Sequence, residues 1–193
     1  ADTPTPTPVV LAYYVIDVVK SVGTVTTIND TTYTIPYTLV VGNTAAVTLP
    51  NVQVSDNLSE TFAAGKPTVE VTSKSVTNGP CTINSAFNGT SVFGLLSGTN
   101  SLTAGQSCTL AFTVKLTYPD RASVPQDDQQ NMAYASSTAA GPNAGYTYPV
   151  TGPQQPAGAL TFDSSTNAAA LPTSAHGDTA SPTPVRFTLA QTG

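Results

Sequence analysis

Tyr33, Ile35, Tyr37, Leu39 and Val41 occupy every second position of the stretch TTYTIPYTLVV, with Thr34 and Thr38 between them. Strict alternation places one row of side chains on each face of an extended chain. Such a stretch can bury one face as a β-strand, whereas a helix would scatter the same residues around its axis. The preceding TVTTIND ends in the turn pair Asn29-Asp30, so the two runs read as a hairpin. Pro36 falls on the outward row and has no N–H to donate, which suits an edge position or a bulge.

The same pattern recurs along the chain. AVTLPNVQVSDNL presents Val47, Leu49, Val52 and Val54 inward, with Pro50 breaking its register. VVLAYYVIDVVKSV, residues 9–22, is too continuous for a half-exposed strand. It reads as one long strand, or as two joined by a bulge near Asp17. Further strands are expected over 67–76, 80–84, 107–117, 130–138, 145–151, 158–162 and 184–190, separated by turn clusters such as Asn78-Gly79-Pro80 and Asn88-Gly89. Thr fills 33 positions and Ser 17, while the good helix formers are scarce. The expected fold is therefore all-β and almost helix-free, a Greek-key sandwich of short strands.

The chain of 193 residues suffices for one large β domain or two small ones. It is read as a single sandwich over 9–193, with a loop-rich segment at 152–183 and a closing C-terminal strand. Residues 1–8 form a Pro/Thr-rich arm. Its alternate prolines favour an extended, polyproline-like backbone. The phrase Thr5-Pro6-Thr7-Pro8-Val9 returns as Ser181-Pro182-Thr183-Pro184-Val185. A signature carried at both ends suggests a unit made to be joined end to end.

Six basic and eleven acidic residues give a net charge of −5. That argues against nucleic acid, whose binding needs a basic face, and against an anionic membrane surface. No apolar stretch is long enough for a membrane span. Ala1 suits a terminus left by signal-peptide cleavage, with a trimmed chain as the alternative. Cys81 and Cys108 are the only cysteines, and with one histidine in the chain they lack the further ligands a zinc site needs. They read as a disulfide formed in an oxidising compartment, or else as two buried thiols.

Residues 20–58, KSVGTVTTINDTTYTIPYTLVVGNTAAVTLPNVQVSDNL, resemble the conserved repeat (DUF11) of bacterial cell-surface proteins. The stretch INSAFNGTSVFGLLSGTNSLTAGQSCTLAFTVKL, residues 131–135 and the closing DSSTNAAALPTSAHGDTASPTPVRF are similar to the same repeat in the same order. The chain departs from the repeat at Gly42 and Ala45, around its Asn-Thr-Gly turn. The resemblance implies an immunoglobulin-like sandwich, exported, of a kind found in tandem arrays, with no catalytic residues. In arrays a closing TPV segment precedes the next repeat; here one copy precedes a single repeat and another ends it.

The chemistry is sparse. His176 is followed by Gly177-Asp178, but no nucleophile-elbow pattern accompanies it. Asp120, Asp127 and Asp128 share the loop YPDRASVPQDDQQN, which reads as a solvated acidic loop, with a calcium site as the alternative. No enzyme activity and no cofactor are expected. The preferred function is a structural subunit of an extracellular, pilus-like filament whose partners are copies of itself. A monomeric surface adhesin or ligand-binding module is the alternative, and the sequence names no host or surface ligand. In the filament reading Pro4, Pro6 and Pro8 cross a subunit junction, and Val9, Val10, Leu11, Tyr13 and Val15 enter a neighbour's sheet. Val185, Phe187 and Leu189 form the other candidate donor strand.

Overall fold

The computed structural model describes residues 14–138, 161–164, 166–167 and 183–187. The chain enters through β1 (Ile16–Val22), then the hairpin of β2 (Thr26–Asn29) and β3 (Thr32–Asn43). β4 (Leu49–Asp56) follows, then the one-turn helix α1 (Leu58–Thr61), which Asn57 caps by accepting from the Glu60 amide. β5 (Thr68–Asn78), β6 (Asn100–Leu102) and β7 (Ser107–Thr117) come next. A 3-10 turn at Arg121–Ser123 leads to β8 (Gln129–Asn131) and β9 (Ala133–Ser137). β10 (Thr161–Ser164), β11 (Thr166–Asn167) and β12 (Thr183–Val185) complete the described strands.

One sheet runs β11-β1-β3-β7-β5, with β2 also paired to β3; a second runs β10-β9-β4-β6; β12 pairs with β8. Every pairing among them is antiparallel except the short β1–β11 contact. The inward rows of β1, β3 and β7 meet those of β4 and β9 in one continuous apolar core. Ile35, Leu39, Val41, Leu49, Val54, Leu110 and Val114 are all fully buried. The protein is thus an all-β sandwich, as the alternating rows require.

The hairpin and its inward row stand where the sequence places them. Tyr33, Ile35, Tyr37, Leu39 and Val41 are buried, while Pro36 and Thr38 are exposed. Pro50 also acts as expected, since the β4–β6 register shifts between Leu49 and Val52 and Asn51 takes a positive φ of 50°. Pro36, by contrast, sits in the middle of a sheet and not at an edge. Its carbonyl accepts from Gly23 N at 2.8 Å. The donorless nitrogen therefore faces the corner between β1 and β2, away from β7, and the ladder loses no bond there. No bulge occurs at Asp17, because β1 pairs with β3 in unbroken register from Ile16 to Val22. The strand expected over 80–84 reduces to a single bridge between Ile83 and Leu96. The strand expected over 130–138 is split at Met132 into β8 and β9. The strand expected over 145–151 and the arm 1–8 lie outside the described residues.

Between β5 and β6 the chain leaves the sheets and buries Phe87, Leu95 and Leu96 against the core. Cys81 of this excursion is disulfide-bonded to Cys108 of β7. The turn that delivers Cys81 depends on Gly79. Its φ is +92°, and a Cβ there would lie 2.2 Å from the Ser107 carbonyl oxygen.

Candidate functional site

The closing strand β12 lies beside β8 in the register Thr183–Asn131, Pro184–Gln130 and Val185–Gln129. Alternation sends Thr183 and Val185 inward, to 0% and 1% exposure, and turns Pro184 outward, where its lack of an N–H is harmless. Phe187 follows on the same face, with its ring centroid 4.9 Å from Tyr33 and 5.7 Å from Tyr118. Outside the core, the Arg186 guanidinium grips Asp128 with two bonds, at 2.7 and 3.1 Å. That pairing holds the half-buried Asp128 carboxyl below its ordinary range.

Beneath β12 lies a polar centre that the sequence reading passed over. Lys20 of β1 and Asp56 of β4 form an ion pair between the two sheets, both fully buried. The Lys20 ammonium also stands over the Tyr37 ring, 4.6 Å from its centroid, and 5.8 Å from that of Phe112. Burial lowers the Lys20 pKa and raises that of Asp56, and each partner's charge opposes the shift. Asn131 of β8 is equally buried and accepts from Thr61 Oγ1 at 2.9 Å. The Tyr37 hydroxyl lies beside Asn131, and burial pushes its pKa well up. Thr183 links β12 to this centre by donating its hydroxyl to the Lys20 carbonyl at 3.3 Å.

The signal for these residues was present. Lys20 continues the inward row Ile16-Val18, Asp56 continues Val52-Val54, and Asn131 precedes Ala133-Ala135. A charge on an apolar row, in a chain with six basic residues, marks a buried partner.

Of the residues expected at a subunit interface, Val185 and Phe187 lie inside this chain's own core. The pairing of β12 with β8 turns both inward. Val15 is half-buried just ahead of β1. Pro4, Pro6, Pro8, Val9, Val10, Leu11, Tyr13 and Leu189 lie outside the described residues, as does His176. In the acidic loop, Asp120 accepts from the amide and hydroxyl of Ser123, both at 2.8 Å, while Asp128 faces Arg186. Among the described residues no three His, Cys, Asp or Glu side chains cluster to hold a metal ion, and no helix is long and apolar enough to cross a membrane.

No protein-family model matches the sequence. No curated protein matches it either. Among solved structures the chain is similar to the N-terminal domain of PorA, at 15% identity and a TM-score of 0.31, over 79% of this chain and 94% of that one.

Proposed function

We propose that the protein is a structural subunit of an extracellular, pilus-like surface filament, joined to copies of itself by β-strand addition. The observation that carries this reading is the behaviour of the Thr-Pro-Val triplet. At residues 183–185 it is a strand with both flanking side chains buried and its proline outward. The same triplet stands at residues 7–9, followed at once by Val10, Leu11 and Tyr13. Each chain thus carries a second copy of a segment whose residue order suits a sheet edge. The C-terminal copy is committed to its own subunit, which leaves the N-terminal run as the donor.

Such a contact joins unlike surfaces and so propagates instead of closing. Burying about four apolar side chains would contribute on the order of 6–10 kcal/mol before ordering costs, enough to hold a junction. The outer edge of β1 offers a place for it. Among the described residues that edge meets β11 only at Val19 and Lys20. Low charge lets subunits approach with little repulsion, and the disulfide suits an oxidising, extracellular setting. The reading assigns no catalysis. Negative-stain imaging of the purified full chain at high concentration tests it. Regular filaments are expected, and monodisperse particles at every concentration would favour the monomeric surface module instead.

A further inference from the structure

The sequence holds two Asn-Gly pairs, Asn78-Gly79 and Asn88-Gly89, and the fold treats them in opposite ways. An asparagine followed by glycine can close into a ring, because no Cβ hinders the glycine nitrogen as it approaches the side-chain carbonyl carbon. Closure needs a carboxamide free to turn, a backbone nitrogen free to leave its place, and water to complete the reaction.

Asn88-Gly89 is denied the first two. Asn88 Oδ1 accepts from the amides of Thr90, Ser91 and Val92 at 3.0, 3.0 and 2.9 Å, and its Nδ2 donates to Ser91 Oγ at 3.0 Å. The Gly89 amide donates to the Val92 carbonyl at 3.1 Å. Gly89 is also buried beneath Leu58, whose Cδ1 would stand 2.3 Å from a Cβ at that position. Asn78-Gly79 is the contrary case. Asn78 is the last residue of β5, the strand at the end of its sheet. The β5–β7 register shifts between Val76 and Asn78, so the ladder is irregular where the strand ends. Among the described residues the Asn78 carboxamide takes part in no hydrogen bond, and the Gly79 amide donates to no carbonyl. Both residues are exposed to water.

We propose that Asn78 is a site of spontaneous conversion to aspartate and isoaspartate, with water as the co-reactant. The Gly79 nitrogen gives up its proton and attacks Asn78 Cγ, forming the N–Cγ bond. The Cγ–Nδ2 bond breaks, and Nδ2 takes a proton and departs as ammonia. Water then opens the five-membered imide. Attack at Cγ breaks the new N–Cγ bond and leaves aspartate. Attack at the Asn78 backbone carbonyl breaks the old peptide bond and leaves isoaspartate, with the main chain routed through Cγ. In both cases the water oxygen stays in a carboxylate, one water hydrogen returns to the Gly79 nitrogen, and nothing is oxidised or reduced.

The product matters because of where it falls. It puts a negative charge at the root of the turn that delivers Cys81 to Cys108, and the isoaspartyl form lengthens the main chain there by one atom. That turn is close-packed, since Gly79 lies against the Ser107 carbonyl. The converted protein should therefore melt below the fresh one. The inference stands whether or not the chain assembles.

The test holds the purified full chain, folded, at mildly alkaline pH in heavy-oxygen water, beside a reduced sample in urea. Trypsin releases residues 75–115 as one peptide that carries both pairs, and fragmentation in the mass spectrometer locates the label. In the folded chain residue 78 is expected to take up heavy oxygen as a mixture of aspartate and isoaspartate, while residue 88 stays asparagine. In urea both should convert. The Asn78→Gln variant, whose ring would be larger by one atom, should take up no label at that position. The proposal is overturned if residue 78 of the folded chain stays unlabelled, or if residue 88 is labelled as fast as residue 78. Aspartate without isoaspartate at residue 78 overturns the route through the imide.

Discussion

Lys20 has the row position of a core aliphatic residue and the chemistry of a surface one, and its environment resolves the conflict by pairing. Moving two charges into a dry core costs several kcal/mol per ion, which the Asp56 contact and the Tyr37 face offset. Removing one partner should therefore harm more than removing both. Lys20→Met is expected to destabilise by about 3–5 kcal/mol, while Lys20→Met with Asp56→Leu recovers part of that loss. Urea denaturation of the three proteins measures the difference. Gly79 is a second residue whose identity is fixed by its surroundings. Gly79→Ala would drive a methyl into the Ser107 carbonyl at a φ of +92°. It should cost about 1–3 kcal/mol, read as a lower thermal midpoint.

At the scale of elements, the closing strand is secured at three points: Thr183 to Lys20, Phe187 into the Tyr33–Tyr118 pair, and Arg186 to Asp128. Phe187→Ala is expected to cost about 3–5 kcal/mol, measured by equilibrium unfolding. The Arg186 tether is sensitive to pH. The Asp128 pKa is lower in the folded chain than in the unfolded one, so its contribution is complete above the ordinary carboxylate range and is lost as pH falls through the folded value. An Arg186→Gln variant should melt below the unaltered protein near neutral pH, and the gap should vanish in strong acid. The disulfide fastens the other excursion. With a separation of 27 residues it should contribute about 3–4 kcal/mol, seen on comparing the oxidised protein with Cys81→Ala/Cys108→Ala.

How far the sequence could be read follows the same physics. β3 and β7 were legible because period-two alternation over eleven or twelve residues admits one interpretation. β6 was not, since three residues carry no period, and 80–84 looked like a strand only because β-branched residues also suit an extended loop. Pro36 misled for a different reason. A proline is confined to strand edges only when its nitrogen faces a neighbour, and the β1–β2 corner supplies a place where it does not. The polar centre was missed because Lys20, Asp56 and Asn131 lie far apart in the chain and only the sheet topology brings them together.

The molecule as a whole combines a closed core with an apolar run just ahead of its first strand. The core of the described residues buries Lys20 and Asp56 completely, and residues 9–13 precede it in the sequence as a run of apolar side chains. A run of this composition is best buried against something, and a second copy of the chain carries a β1 edge that can receive it. Deleting residues 1–12 tests this account most directly, with sedimentation and negative-stain imaging as the readout beside the full chain. The account predicts a folded β protein, unchanged in its circular dichroism, that no longer forms regular filaments. Regular filaments from the truncated chain would contradict it.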